Sequence, residues 1–486
     1  MQTVPFSGKI LVLGCGGVSR CFLPLLLRHI EVPASQITVI DMVDNSARIP
    51  EVIKAGVNYV NRKITHQNYK KVLGQHVKGG DIVVDLAYNI GCTDMLDYCH
   101  HHDIRYVNTS VELWDPYSNA DSQLTVDRTL YVRQVAIRRL VAGWKTKNGP
   151  TAILDHGANP GLVSHYTKMG LIQIAEKIIR EKPTDARIPQ LKSALETRRF
   201  SHLAWLTGVK VIHISERDTQ ISNRPKQVNE FVNTWSVEGL YEEGTAPAEI
   251  GWGTHEQSLP EDARLHTIGP RNQICLAQYG MNTWVRSWVP EGEILGMVIR
   301  HGEAFSISDY LTVYGETRDE VVYRPTVHYA YCPSDATIAS LHELRMRNYK
   351  LQPTWRIMDD DIISGKDELG CLLMGHDFKS WWIGSQLEIA EARQLVPGQN
   401  ATTLQVAASV LGTVFYLINH PAEGVLLPDQ LPHEEIMEVA LPYLGSTYSE
   451  PVDWVPSNYR DVTFTQMPDY PVADTDPWQF HRFLVV

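Results

Sequence analysis

Paired cysteines are missing from this chain. The seven cysteines, at 15, 21, 92, 99, 275, 332 and 371, are odd in number and form no CxxC unit, which argues against a zinc ribbon or a dithiol redox motif. Cys15, Cys21 and Cys92 fall in or beside predicted elements and read as small buried hydrophobes. Positive charge is also in short supply: 44 Lys and Arg against 56 Asp and Glu leave a net charge of −12. Nucleic acid and anionic membranes demand basic patches, so neither is an expected partner. No run approaches the roughly 18 apolar residues of a spanning helix. The opening MQTVPFSGKILVLG lacks a basic n-region followed by an apolar stretch and cleavage site, and a cytoplasmic, reduced protein is the expectation. No His, Cys and Asp spacing suggests a metal.

What is present is ordinary globular material. With 486 residues, 43% hydrophobic and 21% charged, the chain can build two or three domains with substantial cores. Short apolar runs alternate with helical patterns through the first third: KILVLG, ITVIDM, GVNYVNRKI, DIVVDLAYN and IRYVNTS are separated by stretches such as VSRCFLPLLLRHI and CTDMLDYCHHH. That βαβα rhythm predicts an α/β fold, a Rossmann-type doubly wound parallel sheet over residues 1–150. Residues 151–394 change character, and stretches such as GEILGMVIRHGEAFSISDYLTVYG and EVVYRPTVHYAYCP read as β-rich, predicting an α+β domain with an antiparallel sheet. NATTLQVAASVLGTVFYLINH, Asn400 to His420, reads as a long apolar-faced helix. Residues 426–486, rich in Pro, Asp and aromatics from about 443, are expected to wrap the surface.

The first strand ends in Gly14-Cys15-Gly16-Gly17-Val18-Ser19 and opens a helix, which is the setting of a dinucleotide loop. Gly14 permits the tight turn, and Gly16 lets the backbone approach a pyrophosphate at the helix N-terminus. Ser19 stands where the fingerprint has its third glycine. Asp41 ends the second strand about 27 residues after Gly14, where a carboxylate accepts ribose hydroxyls and repels a 2′-phosphate. NAD, rather than NADP, is the predicted cofactor, held by Gly14, Gly16, Gly17, Val18 and Asp41. Leu86, Asn89 and Thr109 follow later strands and, with Asn159, are expected to face the same cofactor crevice, with Glu112 and Asp115 at its rim.

A second group of residues suits an amine. FVNTWSVEGLYEEG places Trp235 among Glu238, Glu242 and Glu243 with no Lys or Arg nearby in sequence. An indole face attracts ammonium groups and carboxylates add the Coulomb term; the alternative is a core tryptophan beside solvated acids. In HISERDTQ, Glu216 or Asp218 is expected to pair with Arg217, leaving the other carboxylate available. Asn159, before Pro160 and Gly161, could cap a helix or offer its amide to a ligand. His301 is accompanied by Glu303 and Asp309, a setting that can move protons. His328 is similar, and each histidine taken alone reads as a satisfied structural residue rather than a catalyst.

These segments resemble the family of bacterial homospermidine synthases, NAD-dependent relatives of saccharopine dehydrogenase. The resemblance runs nearly end to end: GANPG at 157–161, HISERDTQ at 213–220, FVNTWSVEG at 231–239, AEIGWGT at 248–254, RPTVHYAY at 324–331 and DPWQF at 476–480. It implies condensation of two putrescines, with spermidine a possible replacement, to homospermidine with loss of ammonia, NAD acting as a recycled hydride shuttle. It further implies that Trp235 holds an ammonium or iminium, that Glu216 and Glu243 anchor amines, and that Asn159 and His301 lie near the reacting end. Asn89 occupies a position where family members can carry an acid. A homodimer and a helix near 395–425 that completes the first domain are also implied. Two alternatives remain: a saccharopine-dehydrogenase-like or carboxynorspermidine-type reductive condensation, with Arg217 or Arg300 clamping a carboxylate, and a non-enzymatic NAD sensor.

Overall fold

Ile10–Leu13, Ile82–Asp85 and Arg105–Asn108 are buried along their whole length, as strands covered on both faces must be. The computed structural model describes residues 2–116, 122–146, 148–317, 320–456 and 476–485. In it these three strands belong to a seven-stranded sheet ordered Val425–Leu426, Ala152–Ile153, Arg105–Asn108, Ile82–Asp85, Ile10–Leu13, Ile37–Asp41 and Asn58–Asn61. Every pairing in it is parallel. The chain fills one side of Ile10–Leu13 first and then the other. A crevice therefore opens at the carboxyl ends of the central strands, where doubly wound sheets bind ligands.

Ala401–Asn419 packs along Gly17–His29 on this sheet. By length and composition this helix could cross a membrane, yet it is almost wholly buried inside the fold. The explanation lies in its neighbours. Asn400 caps it by accepting the Thr403 N–H at 2.8 Å, while the Asn400 amide donates to the carbonyls of Thr234 and Met358 at 2.7 and 2.9 Å.

The second sheet has ten strands. Its centre is Val211–Asp218, flanked by Thr326–Cys332 in parallel and by Lys366–His376 in antiparallel. The remaining pairings are antiparallel, so the expected antiparallel sheet carries one parallel pair at its core. The stretch read as β-rich from Gly292 divides into a strand, Gly292–Met297, and a helix, Glu303–Tyr310. Residues Glu303 to Ser308 of that helix are all buried, so it shows no apolar stripe from which a 3.6-residue period could be read. At the C-terminus, Ser446–Val452 adds an edge strand against Lys379–Glu388. Phe480 and Phe483 are buried in the same core as Trp382 and Trp454. The part of the 426–486 segment between 457 and 475 lies outside the described residues.

Candidate active site

The glycine loop has the geometry its sequence demands. Gly14 sits at φ +84°, and a Cβ there would lie 2.8 Å from the Leu86 carbonyl oxygen. Around Gly16 no described atom comes within 4 Å of a built Cβ, which leaves room for a ligand to touch the backbone. The helix Gly17–His29 begins with no side-chain cap, so its first N–H groups are available to an anion. Ser19 is buried, and its hydroxyl donates to the Gly14 carbonyl at 2.7 Å. It therefore ties the turn to the helix at the position where the fingerprint has glycine. Asp41 is held beside the loop, accepting the Cys15 and Val43 N–H groups at 2.5 and 2.7 Å.

Val18, Leu86, Thr109 and Asn159 line a single open cleft that also reaches Glu216, Trp235, Glu243 and His301. The sheet-end loops and the second domain's acids are thus brought together. Asn89 is not in the lining; it turns at φ +58° with its Oδ1 buried and lacking a protein donor. Glu112 lines the cleft, whereas Asp115 faces the neighbouring cavity.

Strand alternation builds the amine end. On Val211–Asp218, Glu216 and Asp218 point to one face and Arg217 to the other, where it stands across from Glu368 and Cys332. The expected pairing of Arg217 with one of its sequence neighbours is therefore absent. Glu216 accepts from the Asn159 amide at 2.9 Å and from the Tyr329 hydroxyl. Burial outweighs these bonds and, with Asp218 nearby, pushes the Glu216 carboxyl up to about 7. Gly161 follows Asn159 and Pro160 at φ +131°, where any side chain would overlap the Gly157 carbonyl. That turn fixes Asn159 between the sheet ends and Glu216.

Trp235 is half-buried, its Nε1–H donating to the Tyr331 hydroxyl at 3.0 Å. Tyr331 stacks on Tyr329 with centroids 5.1 Å apart, and the His301 ring lies 4.4 Å from Tyr329. An aromatic row thus runs from the indole to the imidazole. His301 lies between two carboxylates, Nε2 at 3.1 Å from Glu243 and Nδ1 at 3.3 Å from Glu303. Burial opposes its charge, but Glu303 and Glu243 reverse that and hold its pKa well above 6.5. That direction favours the protonated ring, the form able to donate a proton. Asp309, expected beside it, instead pairs with Arg138 at 2.6 Å.

One other expectation is corrected. Glu242 is not a solvated bystander: it is buried and bonded to Arg133 at 2.6 Å and to Arg300. Burial alone would raise its pKa, and the two arginines overcome that and lower it. Glu238 is half-buried and does not line the cleft. His328 is a core residue, 4.2 Å from the His213 ring and 5.4 Å from Phe480, and burial pushes its pKa down to about 4. Sequence reasoning missed Arg133, Asp155, Tyr329 and Gln405, all in the cleft. Asp155 is buried, which with the Glu303 charge raises it to about 7. Of these only Tyr329 had a signal, within RPTVHYAY. Among the described residues no cluster of His, Cys, Asp and Glu has the arrangement of a metal site.

Acids outnumber free cations in this cleft, because both arginines are already engaged. The arrangement suits a ligand with positive ends: an aromatic row for a cationic carbon or nitrogen, a carboxyl poised to gain or lose a proton near neutrality, and an imidazolium donor.

Comparison with known proteins agrees over the whole chain. The family model for the saccharopine dehydrogenase NADP binding domain matches residues 10–153, and that for the saccharopine dehydrogenase C-terminal domain matches 157–447. Homospermidine synthase of Mesorhizobium japonicum is 37% identical over 485 residues, covering 99% of this chain and 96% of that protein. Homospermidine synthase of Blastochloris viridis is also 37% identical, covering 99% and 98%. The crystal structure of homospermidine synthase from Legionella pneumophila in complex with NAD superposes with a TM-score of 0.87 at 36% identity, covering 100% of this chain and 99% of that one.

Proposed function

The chain belongs to the saccharopine dehydrogenase family, among the homospermidine synthases, and from that premise we propose that it joins two putrescines into homospermidine with release of ammonia. What carries the reading is one cleft that places a dinucleotide loop beside an acid-lined aromatic row. The residues fit NAD. Gly16 leaves open space for a pyrophosphate over an uncapped helix start, and Asp41 stands where a 2′-phosphate would be repelled. Bound there, NAD supplies a hydride acceptor and then the matching donor, so the reaction needs no outside oxidant.

The protein's own groups do the rest. Glu243 binds the distal ammonium of the first diamine, and Glu216, poised near neutrality, accepts the proton that frees the reacting amine. The substrate becomes an imine at that carbon, and the indole of Trp235 faces its positive charge. The amine of the second putrescine then adds to the imine carbon, forming the new C–N bond. His301 donates the proton with which the original nitrogen leaves as ammonia. The resulting secondary imine would be reduced to homospermidine by the hydride that bound NAD would hold, so that two diamines balance one triamine plus ammonia. Asn159, bonded to Glu216, keeps that carboxyl aimed at the reacting end.

Incubation with putrescine and trace NAD should yield homospermidine and ammonia in equal amounts with no lasting NADH. Steady NADH consumption would indicate a reductive condensation, and absence of product a sensor. The condensation reading needs an arginine clamp for a carboxylate, and Arg133 and Arg300 are both taken up by Glu242. The same proposal assigns residues 151–394 to the substrate and dimer unit, with the helix near 395–425 completing the first domain. It takes the working unit as a cytoplasmic homodimer, and light scattering tests the assembly.

A further inference from the structure

Two arginines reach the cleft wall, and a single carboxylate oxygen holds both. Arg133 Nη2 lies 2.6 Å from Glu242 Oε1, and Arg300 Nη2 bonds the same oxygen. Each guanidinium is also anchored to backbone: Arg133 Nη1 donates to the Val111 carbonyl at 2.8 Å, and Arg300 Nη1 to the Arg128 carbonyl at 3.2 Å. All three side chains line the cleft. Of the neighbouring acids, Glu249 accepts the Leu130 and Tyr131 N–H groups at 2.6 and 3.2 Å, while Glu112 accepts the Ser110 hydroxyl at 2.9 Å through Oε1 and keeps Oε2 buried without a hydrogen bond among the described residues.

Two fixed guanidinium forks converging on one point form a receptor for a carboxylate. Here the receptor is filled from within. We propose that Glu242 is a specificity-determining residue: it occupies an arginine clamp in the cleft wall, so that carboxylate-bearing amines are refused while diamines meet a wall without free positive charge. This rests on the diamine reading above and adds the residue that enforces it.

Ornithine, which is putrescine carrying a carboxylate beside one amine, is the discriminating probe. Calorimetry on the NAD-loaded protein compares its dissociation constant with that of putrescine in wild type, Glu242→Gln and Arg133→Gln. Removing one charge close to the ligand should weaken putrescine about tenfold or more in Glu242→Gln and tighten ornithine by a similar factor. Arg133→Gln leaves Glu242 paired with Arg300 and should move the ornithine-to-putrescine ratio the other way. An unchanged ratio in Glu242→Gln, or both variants shifting it in one direction, would overturn the proposal. If Glu242→Gln does not fold, Arg133→Gln decides alone, and a ratio that stays put or turns toward ornithine defeats it. Failure of wild type to make homospermidine would count against the proposed reaction, while the ratio of binding constants would still report on the clamp.

Discussion

Perturbing Trp235 gives the sharpest test of the amine site, because two substitutions of it and one beside it should separate in a definite order. Trp235→Ala removes the indole face and the bond to Tyr331. A desolvated cation–π contact is worth about 2 kcal/mol and the hydrogen bond about 1 kcal/mol, so kcat/KM should fall roughly 150-fold. Trp235→Phe keeps an aromatic face and loses the Nε1–H donor, for about 1 kcal/mol or roughly a fivefold loss. Gly239→Ala acts without touching the ring's chemistry. Its Cβ would sit 2.8 Å from Trp235 Cζ3, so the indole must shift, and activity should fall between the other two. Gly239 lies within the helix Val237–Gly244, where alanine is favoured over glycine by up to about 1 kcal/mol. Activity should therefore drop while the melting temperature holds or rises. The measurements are homospermidine formation by chromatography, NAD affinity by fluorescence titration, and thermal unfolding. Equal losses in all three variants, accompanied by lower melting temperatures and weaker NAD binding, would show that Trp235 is only a packing residue.

Two further outcomes follow from the electrostatics. Glu216, raised by burial to about 7, binds more protons folded than unfolded between its ordinary value near 4.5 and 7, so its contribution to stability declines as pH rises through that window. Because the protonated carboxyl cannot pair with an ammonium, diamine affinity should weaken as pH falls through about 7, and binding near neutrality should release a proton; Glu216→Gln should abolish that release, and proton uptake would contradict the assignment. His301 has the same sign from a different cause: raised by its carboxylates against burial, it stabilises the fold below its unfolded pKa and loses that contribution as pH rises through its folded value. For the cofactor, Asp41→Asn should narrow the preference for NAD over NADP by about tenfold, through loss of repulsion at a 2′-phosphate, and an unchanged ratio in competitive titrations would remove Asp41 from that role.

Local features were readable in the sequence. Gly14, Ser19 and Asp41 act through turns and strand ends within a few dozen residues, and their roles depend on backbone geometry that short motifs encode. Glu303 was found beside His301 for the same reason. Asp309 was not, because the helix Glu303–Tyr310 carries it round to Arg138. Arg217 misled because adjacency in a strand means opposite faces. Glu242 had no cationic neighbour in sequence, yet its partners arrive from positions 133 and 300. Charge pattern along a chain says little about pairs that only tertiary packing creates. Trp235, Glu216 and Glu243 were nominated largely through the resemblance, and the shared cleft is a tertiary fact no local pattern contains.

The helix Ala401–Asn419 gives the site a timetable. Its Thr403 methyl lies against Gly17 of the glycine loop, its cap Asn400 holds the carbonyl just before Trp235, and Ser409 donates to the Gly157 carbonyl. The parallel sheet also lacks a strand until Val425–Leu426 has formed. On the ribosome, the residues that meet the cofactor and those that meet the amine are therefore made early but are locked into mutual register only when the last fifth of the chain emerges. A nascent or truncated chain ending before residue 400 carries all five proposed catalytic side chains without the element that holds them at a common distance, so competence is tied to completion of synthesis.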